Sequence, residues 1–331
     1  MLNKLLLSLT IASVGLSLAL PVSADTASTP SLTTVGAQAV TANAGPLLKP
    51  AELRTLLSAS SVRVLDIRSD KDYASGHIPG AINTPYGKYR GPKDNPGQLV
   101  PEAALTELLR SAGIDQDTHV VVVHAGTDST DFGAAARVYW ALKVGGLKHL
   151  SILDGGTKGW KTTGGALDTA LPRITPSRFT YHYDQDQIVT REELADVIGS
   201  STAPLLVDAR PARFYSGETR VDAAARYGTL PGAQVLDNAQ FFVKDGATLK
   251  PANELKALVA QSGAANVPAV SFCNTGHWAA TNWFVISEIA GNHAVKLYPA
   301  SIVDWSKADL PMQNQPSRIT ALVQDVKRAF Q

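Results

Sequence analysis

The residue best suited to chemistry in this chain is its single cysteine, Cys273. It follows an apolar run, residues 267–272, that predicts a buried strand, and a small-residue turn of residues 274–276 comes next. A helix is predicted to begin near His277 or Trp278. Loop amides and the positive end of a helix both favour negative charge on the sulfur. We therefore predict that Cys273 is a nucleophile.

Composition alone leaves a second role open for Cys273. A free cysteine commonly behaves as a small buried apolar residue. In an oxidising compartment, however, a thiol without an internal disulfide partner is a liability, so its presence favours a reactive role. Its place at the end of a strand favours reactivity further, because the functional sites of open parallel sheets lie beyond the carboxyl ends of their strands.

The first 24 residues have the pattern of a secretory signal peptide. Lys4 supplies a positive charge, residues 5–20 are apolar, and Val22-Ser23-Ala24 is a small-residue cleavage signature. The apolar run is shorter than the roughly 20 residues of a membrane-spanning helix, so a retained anchor is the less favoured alternative. We expect an exported protein, periplasmic or secreted, that is not membrane-bound after cleavage.

The charge balance argues against some partner classes. Removing residues 1–24 takes away Lys4 and no acid, which leaves 29 basic and 29 acidic residues in a mature chain of 307. A neutral chain gives no electrostatic reason to expect nucleic acid or an anionic membrane as a partner. The seven histidines show no ligand-like spacing, so no metal site is expected.

Alternating strand and helix patterns predict an α/β fold in two units, residues 46–172 and 188–315. The length exceeds one typical domain, and such alternation implies a mainly parallel sheet with helices on both faces. Residues 25–45 read as a flexible lead-in, residues 173–187 as a linker, and residues 316–331 as a terminal amphipathic helix. Predicted strands are residues 62–67, 119–124, 150–153, 205–208, 267–272 and 295–298. Predicted helices are residues 50–58, 102–112, 132–144, 190–198, 253–262, 278–290 and 319–330.

The two units repeat in residues as well as in pattern. Leu65-Asp66-Ile67-Arg68 corresponds to Val207-Asp208-Ala209-Arg210, 142 positions later, and GHIPGA at residues 76–81 corresponds to GTLPGA at residues 228–233. The first unit carries the Asp-Ile-Arg motif without a cysteine. Folding is therefore the simpler explanation for Asp208 and Arg210 as well.

The chain resembles the rhodanese family of sulfurtransferases over roughly residues 45–315. The resemblance rests on the two Asp-x-Arg motifs, the GHIPGA element, Leu153-Asp154-Gly155-Gly156 with Trp160, the loop Cys273-Asn274-Thr275-Gly276-His277-Trp278-Ala279, and Trp305. It implies two tandem rhodanese-like domains, of which the first is catalytically inactive and the second catalytic. The counterpart of Cys273 in the first domain falls near His124, which cannot form a persulfide. We interpret His124 as a structural residue that faces the domain interface.

The resemblance also implies a mechanism. In this family a cysteine thiolate takes the sulfane sulfur of thiosulfate or 3-mercaptopyruvate, and a thiol or cyanide then accepts it. Carried over, Cys273 is the nucleophile, no metal or organic cofactor is required, and the partners are a small anionic sulfur donor and a thiol or cyanide acceptor. The implied substrate-binding cradle is the backbone of Asn274, Thr275, Gly276, His277, Trp278 and Ala279.

The loop departs from the family where donors are chosen. Thiosulfate-using members place basic residues after the cysteine and mercaptopyruvate-using members a glycine and a serine, whereas this chain has Asn274 and Thr275. The family's substrate arginine falls on Phe214, one position after Arg213. We therefore take Arg213 as the candidate anion ligand.

Four further side chains keep two interpretations each. Arg220 and Arg226, in the insertion before Gly228, could reach the same anion or be solvated surface charges, an alternative that also holds for Arg213. His277 could assist proton transfer or make a hydrogen bond at the helix start. Trp278 could wall the pocket or be a buried aromatic.

Three other functions fit less well. A cysteine phosphatase needs an arginine at the end of its loop, and the sixth residue after Cys273 is Ala279. A thiol sensor lacks a resolving cysteine. A non-catalytic rhodanese-type binding module stays open because the loop departs from the family pattern.

Overall fold

The computed structural model describes residues 44–244 and 246–329. The predicted signal peptide, residues 1–24, and all but the last two residues of the predicted lead-in lie outside the described residues. No helix in the described part of the chain is long and apolar enough to cross a membrane.

The first domain is built on a five-stranded sheet in which every pairing is parallel, in the order β1-β5-β4-β2-β3. Its strands are β1 (Leu47–Leu48), β2 (Val62–Asp66), β3 (Ile82–Asn83), β4 (His119–Val123) and β5 (Leu150–Leu153). Its helices are α1 (Pro50–Leu56), α2 (Asp70–Ala74), α3 (Glu102–Ser111), α4 (Ser129–Val144) and α5 (Gly156–Thr162). The central strand β4 is buried along its whole length, which explains its unbroken run of valines.

The second domain has a four-stranded parallel sheet in the order β7-β6-β8-β9. Its strands are β6 (Leu205–Asp208), β7 (Gln234–Val235), β8 (Ala269–Phe272) and β9 (Val295–Leu297). Its helices are α6 (Arg191–Val197), α7 (Ala212–Tyr215), α8 (Ala252–Gln261), α9 (Trp278–Phe284) and α10 (Ser301–Lys307), and α11 (Arg318–Ala329) follows them. The predicted α/β architecture of two parallel sheets flanked by helices is confirmed.

The differences from the predicted elements have simple causes. Strand β8 begins at Ala269 rather than Val267, because Pro268 has no N–H for the ladder and Val267 is 39% exposed. The edge strands β1, β3 and β7 have two residues each, too few for an alternating pattern to mark them. Helix α9 continues into a π-helical turn over Val285–Ile289.

One apolar core spans both domains, because α4 of the first domain packs directly on α9 of the second. The Phe132 ring lies 5.9 Å from that of Phe284, and the Tyr139 ring lies 5.0 Å from it. Glycine at position 133 allows the close approach, since a methyl group there would come within 3.0 Å of His277 Nε2. The two domains are therefore joined through buried side chains.

Each Asp-x-Arg motif forms an ion pair that ties a strand end to the following glycine turn. Arg68 Nε donates to Asp66 at 2.9 Å, and Arg210 Nε donates to Asp208 at 2.8 Å. Both arginines also donate to the backbone, Arg68 to the Gly76 oxygen and Arg210 to the Gly228 oxygen, each at 2.9 Å. Because the geometry is the same with and without a cysteine nearby, the motif holds the fold in both domains.

Candidate active site

Cys273 directly follows β8, beyond the carboxyl end of a central strand, where the sequence places it. Its thiol is free, and the residue is only 1% exposed. Its backbone oxygen accepts a hydrogen bond from the Ile302 N–H at 3.1 Å, so the loop is fixed to the start of α10. The thiol therefore sits in a protected and well-positioned loop.

Ser301 is the residue that shapes this loop. Its hydroxyl oxygen accepts hydrogen bonds from the N–H groups of Cys273 and Gly276, both at 3.1 Å, and donates to the Tyr298 oxygen at 2.8 Å. Ser301 has φ +56°, a left-handed conformation that costs a non-glycine residue about 1–2 kcal/mol. Gly156, the corresponding residue of the first domain, has the same φ. The strained serine stands where its hydroxyl satisfies two loop amides.

The predicted amide cradle is therefore only partly free. The Gly276 N–H is used by Ser301, whereas the N–H groups of Asn274, Thr275 and His277 donate to no acceptor within residues 44–244 and 246–329. These amides remain available to an anion. Gly276 itself has φ +68°, and a side chain there would collide with the Pro299 oxygen.

Asn274 connects the loop to the ion pair beneath it. The side chain is buried, and its Oδ1 accepts a hydrogen bond from Arg210 Nη1 at 3.3 Å. The Asn274 backbone oxygen accepts from the Val303 N–H at 3.0 Å. The structural Asp208–Arg210 pair thus also supports the cysteine loop.

A cavity of about 350 Å³ opens over the loop. It is lined by Thr130, Val221, Ala223, Cys273, Asn274, Thr275, His277 and Trp278. Trp278 Nε1 donates to Thr130 Oγ1 at 3.2 Å, and its ring meets that of Phe214 edge-on at 6.0 Å. Trp278 is thus a wall of the cavity, formed together with the first domain, while Ala279 is buried within α9.

The three candidate arginines lie apart from the residues that line the cavity. Arg213 is exposed and stacks on Phe214, with Cζ 5.4 Å from the ring centre. Arg220 donates to Asp325 of α11 at 2.9 Å, and Arg226 donates to the Ser306 oxygen at 2.8 Å. The insertion that carries them contributes its apolar residues to the cavity instead.

His277 bridges the two domains. Its Nε2 lies 2.7 Å from the Thr130 carbonyl oxygen and its Nδ1 lies 2.7 Å from the Tyr86 hydroxyl. A carbonyl only accepts, so Nε2 carries the hydrogen and the Tyr86 hydroxyl donates to Nδ1. Burial and the nearby Arg90 lower the pKa of His277 to about 4. His277 is therefore neutral at pH 7 and does not cap α9 with its side chain.

The equivalent loop of the first domain is closed by its own carboxylate. Asp131 accepts hydrogen bonds from His124 Nδ1 at 2.7 Å and from the N–H groups of Gly126 and Thr127 at 2.6 and 3.1 Å. Burial opposes the charge, but these hydrogen bonds lower the pKa of Asp131 to about 2. His124 is fully buried and lies edge-on against Phe132.

The sequence missed the residues that come to the site from elsewhere. Ser301 was detectable: if the repeats are aligned on Trp160 and Trp305, it replaces a glycine of the first domain. Thr130, Val221 and Ala223 carry no such signal, because packing between distant segments places them. The same holds for Tyr86 and Arg137, which approach the loop from the first domain.

Comparison with known proteins agrees with this geometry. The model of the rhodanese-like domain matches the chain twice, at residues 49–163 and 190–308. The chain belongs to the rhodanese-like family. The resemblance seen in the sequence is thereby confirmed, and both matched segments coincide with the two parallel sheets.

Several relatives of this rhodanese-like chain are named as sulfurtransferases. A Synechococcus elongatus protein, provisionally named a thiosulfate sulfurtransferase, is 30% identical over 80% of this chain and 83% of its own length. The 3-mercaptopyruvate sulfurtransferase of Escherichia coli K12 is 27% identical over 73% and 85%. The solved structure of Escherichia coli SseA shares the fold with a TM-score of 0.66 at 24% identity, covering 78% of this chain and 99% of its own. The chain is an enzyme of the sulfurtransferase class.

We predict that neutral His277 makes the protein sensitive to acid. Its pKa in the folded state, about 4, lies below the ordinary value of 6.5. As the pH falls, the unfolded chain takes up the proton first, so this stability is complete above pH 6.5 and is lost between 6.5 and 4. The free energy of unfolding, measured by urea denaturation across this range, should fall less steeply in His277→Asn, by up to about 1.4 kcal/mol per pH unit.

Asparagine is chosen because it offers the same donor and acceptor to Thr130 and Tyr86 without titrating. The slope of the unmodified protein, measured under the same conditions, is the reference. An identical slope in His277→Asn and in the unmodified protein would contradict the prediction.

Proposed function

We propose that the second domain transfers a sulfane sulfur from thiosulfate or 3-mercaptopyruvate to a thiol or cyanide through a persulfide on Cys273. The observation that carries the proposal is the cysteine loop itself. A single thiol lies at a strand end, in a loop pinned by Ser301, beside unpaired amides and under a cavity of small-molecule size. Such a site suits a small anion better than a polymer.

The proposed reaction has two half-reactions. The Cys273 thiolate attacks the outer sulfur of thiosulfate, a bond forms between the two sulfurs, and the donor's S–S bond breaks, so that sulfite leaves with the electron pair. With 3-mercaptopyruvate the C–S bond breaks instead, and the pyruvate carbanion takes up a proton. An acceptor thiolate or cyanide then attacks the outer sulfur of the persulfide and releases the Cys273 thiolate. The order is that of covalent, ping-pong catalysis, and these steps require no metal or organic cofactor.

Each loop residue has a proposed part in binding. The N–H groups of Asn274, Thr275 and His277 hold the negative charge of the donor or of the persulfide, and the amides of Trp278 and Ala279 extend this cradle to the start of α9. Gly276 keeps the loop tight because no side chain fits there. The Trp278 ring confines the donor, while neutral His277 fixes the loop against the first domain rather than exchanging protons.

The first prediction of this proposal concerns the thiol. Cys273→Ser should abolish turnover with both donors, whether cyanide or a dithiol is the acceptor, because a hydroxyl cannot carry the transferred sulfur. Mass spectrometry of protein treated with each donor should show one added sulfur on the Cys273 peptide and none in the variant. Turnover that survives in Cys273→Ser would refute the proposal. If neither donor nor any sulfane source modifies Cys273, a non-catalytic binding module is the better description.

We also propose that Arg213, which lies behind the Phe214 and Trp278 rings, reaches over them to the anionic end of the donor. It is exposed, it carries no carboxylate partner among the described residues, and it stacks on Phe214, which contacts the cavity wall. Arg213→Ala should raise the KM for thiosulfate about tenfold and leave kcat unchanged, since a hydrogen bond to a charged group contributes on the order of 1.5 kcal/mol. The exposed Arg173 supplies the control, and Arg173→Ala should alter neither constant. Equal KM values for the two variants would exclude Arg213.

Finally, we propose that the protein is exported, to the periplasm or beyond, with removal of the first 24 residues. The support is the order of charged, apolar and small-residue segments at residues 4–24. N-terminal sequencing of protein recovered from the periplasm of a Gram-negative host should show a processed chain. Replacing Ile11 and Val14 with lysine should leave an unprocessed chain in the cytoplasm. Unprocessed, cytoplasmic protein from the unaltered sequence would argue against export.

A further inference from the structure

Arg137, on α4 of the first domain, lies against the cysteine loop of the second. The residue is 1% exposed. A methyl group built on Gly276 would come within 2.7 Å of Arg137 Nη1, so the guanidinium rests directly on the loop backbone. Thr130, Gly133 and Arg137 follow one another at helical spacing, and all three meet residues 276–278. The first domain thus delivers a cation to the loop that carries the thiol.

This cation has almost no partners. Nη2 donates to the Gly97 oxygen at 3.3 Å, and Cζ lies 4.5 Å from the centre of the Trp140 ring. Nε and Nη1 find no acceptor, and no carboxylate lies within ion-pair distance, among the residues that the structure describes. A half-buried second arginine, Arg90, lies close by and likewise has an unpaired Nη1.

A buried charge without a counter-charge is destabilising, because burial removes its hydration and nothing replaces it. Burial and repulsion by Arg90 lower the pKa of Arg137 to about 10, which still leaves it charged at neutral pH. The other ionisable groups that act on it are Tyr86, Tyr183 and Cys273. Burial raises the pKa of both tyrosines, so they stay neutral at that pH. Of these groups, only Cys273 can supply an anion.

We propose that Arg137 is the counter-charge of the Cys273 thiolate and persulfide, supplied to the catalytic loop by the other domain. Arg90 adds to the same positive region. The assignment rests on the proposed sulfur transfer and explains the departure seen in the loop, where Asn274 and Thr275 stand in place of basic residues. The positive charge comes from α4 instead of from the loop. Arg137 acts through the charge of Cys273 and is therefore a positioning residue.

The test uses the fact that the chain has one cysteine. Thiolate absorbance in the ultraviolet, recorded against pH on the full-length protein with Cys273→Ser as the blank, reports that residue alone. Arg137→Gln keeps a donor for the Gly97 oxygen but removes the charge. The midpoint of the absorbance curve should move upward by about one pH unit or more, the size of shift that loss of an adjacent opposite charge produces. Arg137→Lys, which keeps the charge, should move it by a small fraction of that.

Lys143→Gln is the matched control. Lys143 lies on the same helix and also contacts the second domain, where it donates to Glu288 at 3.1 Å, but it is remote from the loop. The Lys143→Gln variant loses the same charge and an interdomain contact. The midpoint of its absorbance curve should match that of the unmodified protein. Arg90→Gln, at a half-buried position, should give a smaller upward shift. If Arg137→Gln fails to fold by circular dichroism, the midpoint of Arg90→Gln tests whether this positive region stabilises the thiolate.

The outcomes separate this inference from the proposed function. An unchanged midpoint in folded Arg137→Gln would overturn the role of Arg137, even if the protein transfers sulfur. An upward shift in a protein that accepts sulfur from no donor would support the counter-charge and overturn sulfur transfer. With both correct, the second-order rate of persulfide formation at pH 7 should also fall in Arg137→Gln, by the factor that the two measured absorbance midpoints give for the loss of thiolate at that pH.

Discussion

The contact between α4 and α9 is the feature on which the rest of the structure depends. Phe132, Tyr139 and Phe284 form a continuous apolar layer between the domains, and glycine at position 133 allows the His277 ring to lie against α4. Burial of rings of this size contributes about 1.5–3 kcal/mol each. The same contact sets the distance between the cysteine loop and the Tyr86, Thr130 and Arg137 side chains. The candidate site of the second domain is thus completed by side chains of the first.

The duplicated domains share the ion pair that supports the end of a central strand and differ in the residues of the loop beside it. Both retain the Asp-Arg ion pair at the end of the strand and the glycine turn that it holds. In the first domain Asp131 accepts hydrogen bonds from the loop amides, whereas in the second Ser301 satisfies two of them and leaves others unpaired among the described residues. A loop whose N–H groups already donate to its own carboxylate has fewer free donors for an external anion. The electrostatic difference between the domains therefore lies in a few loop residues and not in the sheets.

Much of the fold could be predicted from the sequence, because short stretches of sequence indicate the buried strands and the starts of helices. Three such patterns each predict an element without reference to the rest of the chain: the valines of β4, the capping box at Thr190 and the apolar run before Cys273. The sequence repeat then indicates that these elements follow one another in the same order in both domains. The position of Cys273 could be predicted for the same reason, since it depends only on the strand before it and the helix after it.

The remainder of the site depends on contacts between segments that are distant in the sequence. Arg213, Arg220 and Arg226 were candidates because their spacing in the chain is suitable, but Arg220 turns to α11 and Arg226 to the end of α10. Arg137 lies 136 positions before Cys273 and has no motif. His277 could not be assigned a protonation state until its neighbours across the interface were known. Such features arise from tertiary packing, which no local pattern records.

The left-handed conformation of Ser301 has a consequence for how the second domain tolerates substitution. Glycine adopts that backbone conformation without strain, so Gly156 in the first domain needs no compensating hydrogen bonds from the neighbouring loop. Serine at the same place is tolerable only while its hydroxyl has partners, and those partners are the amides on either side of the thiol. Backbone conformation and thiol loop therefore depend on each other in the second domain: a change that displaced these amides would leave the strain of Ser301 uncompensated, and glycine at position 301 would remove the strain together with both hydrogen bonds. One side chain thus couples the conformational strain at the start of α10 to the shape of the loop that carries the thiol.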